Sequence, residues 1–187
     1  MDSKNTFLRG NGYCRNLYFY RKSMVIYDMT FYFVKKYLPP YGDRTVDQMI
    51  QAARSGKQNF VEGMADGVTS FEMQIKLINV GKSSLQELRE DYEDYLRTRN
   101  LKIWKSEHPR YDKMLDYCKF HNDLPDYEPF FTRWNDEEFC NVAITLIHYV
   151  DKMLEIFLLQ LQDEFVKNGG IKEAMTRARL NTRNGNK

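Results

Sequence analysis

The stretch from Asn135 to Lys167 constrains the fold more than any other part of the chain. Asn135 is a good helix N-cap, and Asp136, Glu137 and Glu138 follow it where a helix dipole favours carboxylates. Gly169–Gly170 ends the run. Between these signals Val142, Ala143, Ile144, Leu146, Ile147, Tyr149, Val150, Met153, Leu154, Ile156, Phe157, Leu158, Leu159 and Leu161 wrap nearly the whole circumference of a helix. Thr145, His148, Asp151, Lys152, Glu155 and Gln160 break the run, so it is not a membrane span. A helix that is apolar on two sides must be covered on both. Either a second copy of the chain supplies the extra cover, or residues 100–134 fold over it. A similar excess in the first helix favours self-association, with Phe31, Phe33, Ile147, Leu154, Phe157 and Leu158 as the expected contacts between copies.

Three more long helices follow from periodicity and punctuation. The first runs from about Arg15 to Tyr37 and stops before Pro39–Pro40, because proline lacks an N–H and restricts the residue before it. In the second, Val46, Met49, Ile50, Ala53, Phe60, Val61 and Met64 repeat at helical spacing on one face. This helix opens at Asp43 or Thr45, with Thr45 and Gln48 fitting a capping box, and is expected to end near Gly63. A third helix starts at Thr69 or Ser70, with Thr69 and Glu72 fitting another box, and its stripe is Met73, Leu77, Val80, Leu85, Leu88, Tyr92 and Leu96. It ends near Arg99. Residues 105–134 carry Pro109, Pro125 and Pro129 and read as an irregular insertion with a short helix at about 110–121. A short basic helix from about Ile171 to Leu180 precedes a frayed end.

The expectation is one all-α domain over 1–187: an antiparallel up-down four-helix bundle. Its core spans about 13–104 plus 135–168, with the insertion at 105–134 and a basic extension at 169–187. A chain of 187 residues can bury such a core without disulfides. Cys14, Cys118 and Cys140 are three, widely spaced and without a CxxC pair, which fits a reducing cytoplasm. The opening residues show no apolar leader region.

Charge is uneven although the net is only +2. Residues 1–58 hold ten cations to four acids, 121–166 two cations to ten acids, and 167–187 six cations to one acid. Such a layout suits an anionic partner. The candidate phosphate contacts are Arg15, Arg21, Lys22, Lys35, Lys36, Arg54, Lys57, Arg177, Arg179 and Arg183. The alternative is ordinary solvated helix faces and a basic tail. A polar stripe on the second helix, Gln48, Gln51, Ser55, Gln58 or Asn59, and Glu62, has two readings as well. It is a recognition face flanked by Arg54 and Lys57, or a polar seam that fixes helix register. Glu62, near a helix end, calls for a partner such as Arg54 or Arg89.

Catalytic motifs are absent from the sequence. There is no phosphate loop, dinucleotide fingerprint, nucleophile elbow or HExxH helix. A di-iron bundle needs Glu three residues before its ligand histidines, but His108, His121 and His148 are preceded there by Lys105, Cys118 and Thr145. His148 reads as a core histidine. The expectation is a non-enzymatic protein with no cofactor and no metal.

Two stretches, DRTVDQMIQAARSGKQNFVEG and SFEMQIKLINVGKSSLQELREDYEDYLRTRNLKIW, resemble the bacterial four helix bundle family, closest to its suffix-domain branch. The broader family is named for proteins encoded by intervening sequences of 23S ribosomal RNA genes. The resemblance covers about residues 13–104, with Asn59, Glu62 and Gly63 at the family's short signature and Arg54 and Gln58 beside it. It implies an up-down bundle that assembles into a ring, typically a homopentamer, with no enzyme activity and no cofactor. A related bundle, the accessory variability determinant of diversity-generating retroelements, binds a reverse transcriptase and its template RNA through basic surfaces. The expected partners are therefore further copies of the chain, and RNA or a nucleic-acid-processing protein. No membrane is expected, and a protein-interaction scaffold is the alternative.

Overall fold

The computed structural model describes residues 14–39, 43–67 and 69–185. The opening segment read for a leader, and Pro40, lie outside the described residues. All regular structure among the described residues is helical. The four long helices are α1 (Tyr18–Tyr37), α2 (Arg44–Asp66), α3 (Phe71–Thr98) and α6 (Asp136–Asn168), and a 3-10 turn at Cys14–Asn16 leads into α1. Between α3 and α6 come α4 (Tyr111–Phe120), α5 (Leu124–Tyr127) and a 3-10 turn at Glu128–Phe130, and α7 (Ile171–Gly185) follows α6.

Local chemistry sets the helix starts. Asn135 and Glu138 form the expected capping box: Glu138 N–H donates to Asn135 Oδ1 at 2.8 Å, and Asn135 N–H to Glu138 Oε2 at 2.9 Å. At the other two starts the cap is Asp43 rather than Thr45, and Ser70 rather than Thr69, the other of the two expected residues in each case. Asp43 accepts from Thr45 N–H at 2.9 Å and Ser70 from Met73 N–H at 3.1 Å. Both are strong N-cap residues, and each meets an N–H the helix itself cannot satisfy. Two ends also differ from expectation. α2 passes Gly63 and continues to Asp66, and α7 continues to Gly185 rather than fraying at Leu180.

α1, α2, α3 and α6 bury their stripes together. Phe33 sits at the centre, with its ring 4.9 Å from Tyr95, 5.1 Å from Tyr92 and 5.7 Å from Phe139. Phe19 lies between Phe60 and Phe157 at 5.4 and 5.2 Å. The Tyr92 hydroxyl, fully buried, donates to Thr30 Oγ1 at 3.0 Å, so its burial leaves no polar group unpaired. α2 meets α3 along Ser55–Ser84, Gly56–Leu85, Phe60–Gly81 and Gly63–Ile78. α3 meets α6 through Lys82 with Asp151 and Glu155 and through Tyr95 with Asp136. The α2–α3 approach depends on glycine: a Cβ on Gly81 would stand 2.9 Å from the Gly56 carbonyl oxygen and 2.6 Å from the Phe60 ring.

Of the two covers expected for the extra apolar faces, the insertion supplies one. It folds back over α1 and α6. Met114, Cys118, Tyr127 and Phe131 join the same buried cluster as the long helices. Tyr32 packs on Phe131 and Phe139, and the Tyr149 hydroxyl donates to the Leu115 carbonyl at 3.2 Å. Of the six residues expected between copies, Phe33, Ile147 and Leu154 are buried within the single chain. Phe157 and Leu158 are half-buried, and Phe157 touches Phe19. Phe31 is exposed, with Lys35 Nζ 4.0 Å from its ring centre. His148, expected in the core, is exposed: the residues on either side of it in sequence lie on other faces of α6.

Candidate nucleic-acid interface

Three of the α1 cations expected to face a phosphate backbone instead fasten the insertion. Lys22 is completely buried, and its ammonium donates to the carbonyls of Cys118 and, at 2.6 Å, of His121. These carbonyls end α4, where a helix leaves C=O groups unpaired and a cation suits the dipole. Burial lowers the Lys22 pKa from 10.5 to about 8. Arg21 holds Asp123 bidentately, its Nε 2.8 Å from Oδ1. Asp123 is the N-cap of α5, so the pair ties that turn to α1. Lys36 donates to the carbonyls of Phe131 and Trp134 at 3.1 and 3.3 Å, and the Tyr37 hydroxyl donates to Trp134 at 2.7 Å. None of the three cations is a free phosphate contact.

The remaining candidates divide. Lys57 is half-buried, its Nζ 3.9 Å from the Tyr27 ring centre. Arg15, Lys35 and Arg54 are exposed. Arg177, Arg179 and Arg183 are exposed on α7, which carries four cations, Lys172 included, to one acid, Glu173.

The polar stripe of α2 opens onto a groove of about 620 Å³ shared with α3. Its charged walls are Asp47, Glu87 and Asp91 against a single Arg44. Burial, with Asp94, Glu87 and Glu90 nearby, raises the Asp91 carboxyl pKa. A groove of this sign repels phosphate, so the stripe does not form the expected recognition face. Its inner members make a seam: Ser55 and Ser84 hydroxyls meet at 2.9 Å, and Asn59 Nδ2 donates to the Ser55 carbonyl at 2.9 Å. At the signature positions, Gln58 Nε2 donates to Glu62 Oε1 at 3.3 Å, in place of the arginine partner expected for Glu62. A Cβ on Gly63 would stand 3.3 Å from the Gln74 carbonyl, so this position serves helix contact.

Periodicity did not point to a second concavity, a slot of about 210 Å³ lined by aromatic residues of the insertion. Trp104 forms one wall. Its backbone N–H donates to Asn141 Oδ1 at 2.7 Å and its indole N–H to Glu137 Oε1 at 2.8 Å. Trp134 and Phe130 stack at 5.3 Å, and Tyr117 meets Phe130 edge-on at 5.8 Å. Arg110, Lys113 and Glu138 complete the lining with Met114, Cys118 and Val142. Both tryptophans of the chain lie here, and the sequence signal for the site is their place at the two ends of the insertion.

Cys118 and His121 share one helical turn but do not pair as nucleophile and base. The buried Cys118 thiol is pushed up to about 12 by burial, and His121 Nδ1 lies 2.9 Å from the Tyr117 carbonyl. Among the described residues no group of three or more His, Cys, Asp or Glu is placed to hold a metal ion, and no helix is long and apolar enough to cross a membrane. No family model matches the chain, and no curated protein or solved structure matches it significantly.

Proposed function

We propose that this chain is a non-enzymatic, homo-oligomeric RNA-binding protein built on an antiparallel up-down four-helix bundle. α7 carries the reading: four cations to one acid on an exposed helix, opposite in sign to the acidic α2–α3 groove. A cationic helix of this kind attracts a phosphate backbone without reading its sequence. The bundle topology is supported by contact pairs whose numbers run in opposite senses, such as Lys82 with Asp151 and Tyr95 with Asp136.

Assembly is supported by the second half of α6, beyond the reach of the insertion. Ile156, Leu159 and Val166 are 58%, 63% and 76% exposed there. Exposed apolar residues of this size mark interaction surfaces when they cluster. The family resemblance implies a ring that is typically a homopentamer, for which light scattering should give about five times the 22.4 kDa of one chain. A monomer would remove the oligomer from the proposal. The acidic α2–α3 groove favours a second reading, a scaffold for a basic protein segment.

The test of RNA binding is fluorescence anisotropy of a labelled single-stranded RNA with the full chain, from 50 to 300 mM salt. Each phosphate contact to a single strand contributes a slope of about 0.7 log units per decade of salt, so contacts from Lys172, Arg179 and Arg183 predict about 2.1. Replacing Arg179 and Arg183 by alanine should lower the slope by about 1.4. Absence of binding at the lowest salt would defeat the proposal.

A further inference from the structure

The aromatic slot of the insertion has the shape and charge of a site for one planar ring carrying an anion. Its volume, about 210 Å³, is below the roughly 300–1,000 Å³ of pockets that enclose drug-sized ligands, so it has room for a single ring system. The walls are held before anything binds. Trp104 is fixed by Asn141 and Glu137, Trp134 through its carbonyl by Tyr37 and Lys36, and Tyr117 by its hydroxyl donating to the Asp126 carbonyl at 2.6 Å. Rigid aromatic walls lose little freedom on binding, which favours affinity.

Charge at the mouth decides what kind of ring fits. Glu138 is the one carboxylate of the lining, and its charge is already matched. It pairs with Arg110 and also accepts from the Asn135 N–H at 2.9 Å. The Arg110 guanidinium lies 4.6 Å from the Trp104 ring centre, so the cation–π place on that ring is taken by the protein itself. Lys113 lines the mouth, is exposed, and makes no ion pair among the described residues. A quaternary ammonium would meet two cations and no free carboxylate. A planar ring with a phosphate meets an aromatic lining inside and a lysine outside.

We infer that this slot takes the base of an unpaired nucleotide, stacked against Trp134 and Phe130, with its phosphate at Lys113. Single-stranded nucleic acid is held in this way elsewhere: bases splay out onto aromatic faces while cations track the backbone. A base inside a duplex cannot enter, so the site selects unpaired strands. The inference deepens the proposed RNA-binding function, because a slot on the insertion adds base stacking to the phosphate attraction of α7. The same chemistry is presented by a free nucleotide, and the experiment separates the two sources.

Because both tryptophans line the slot, intrinsic emission excited at 295 nm reports on it alone. The full chain is titrated with uridine and adenosine monophosphates, with the matching nucleosides, with a single-stranded 15-mer RNA and with its duplex. Saturable quenching is expected from the monophosphates, weaker quenching from the nucleosides, the tightest from the single strand and none from the duplex. Lys113→Glu, at an exposed position, should weaken the monophosphate and the single strand by about tenfold or more while leaving the melting temperature unchanged. Phe130→Leu should weaken both by about tenfold to a hundredfold, the range one base-on-ring stack supplies. If the single strand is retained at low salt but quenches neither tryptophan and binds Lys113→Glu as well as wild type, the slot inference is wrong and the RNA-binding proposal stands. Quenching by monophosphates alone, with no RNA retained at any salt, supports the slot as a free-nucleotide site and defeats the RNA-binding proposal. Absence of quenching by every probe overturns the inference.

Discussion

Replacing Lys22 by methionine tests whether a cation from the basic first third of the chain truly works inside the protein. Methionine keeps the length and apolar stem of the side chain and removes its charge and donors. Lys22 is fully enclosed, and burial lowers its pKa from 10.5 to about 8. Below pH 8 both the folded and unfolded chains hold the proton, and stability has no slope from this group. Between pH 8 and 10.5 the unfolded chain holds the proton and the folded chain does not, so raising the pH favours folding. Above 10.5 both are neutral. The slope is about 1.4 kcal/mol per pH unit, and over this window it sums to roughly 3 kcal/mol. Burial pushes Cys14, Cys118 and Cys140 the other way, raising their thiol pKa values, so total stability falls above about pH 9 as the unfolded thiols ionise. The fall from Cys14 and Cys140 is common to both proteins and cancels in their difference, leaving Cys118, whose pKa the Lys22 charge lowers, as the one thiol whose share changes. Urea unfolding followed by circular dichroism, under reducing conditions at pH 7.5, 8.5, 9.5 and 10.5, gives the difference. Wild type should gain on Lys22→Met by roughly 3 kcal/mol across the window. A flat difference would mean that the ammonium is solvated and that the insertion is not fastened there.

Other substitutions probe the contacts that place the site. Gly81→Ala puts a methyl against the Gly56 carbonyl and the Phe60 ring, and overpacking of this kind costs about 1–3 kcal/mol, read as a lowered urea midpoint with unchanged slope. Asn141→Ala leaves the Trp104 N–H and the Lys102 carbonyl without their partner, a loss of about 2–3 kcal/mol, and should shift Trp104 emission to the red as that wall loosens. Cys118 and Cys140, buried with raised pKa values, should resist a thiol reagent at pH 8 until urea unfolds the chain.

Features that depend on near neighbours were legible in the sequence. Asn135 followed by Glu138 specifies a helix start within four residues, and the structure forms both hydrogen bonds of that box. The apolar stripes of α2 and α3 were readable because helical spacing alone decides which side chains share a face. Partners distant in the chain were not legible. Lys22 reaches Cys118, 96 residues away, and Arg21 reaches Asp123 across 102. A cation that caps a distant helix and a cation that faces phosphate look alike in a sequence. The same distance effect misplaced Phe33, Ile147 and Leu154, whose cover comes from within the chain. The slot drew its walls from Trp104, Tyr117, Phe130 and Trp134, positions with no common period in a segment broken by three prolines.

Amide hydrogen exchange of the full chain with and without a single-stranded RNA tests the functional account most directly, because it shows where the strand lies. Slower exchange is predicted in α4, the Glu128–Phe130 turn and α7, with the α2 and α3 segments that flank the acidic groove unchanged. Protection centred on Gln48, Gln51 and Ser55, or the same exchange with and without RNA, would contradict it.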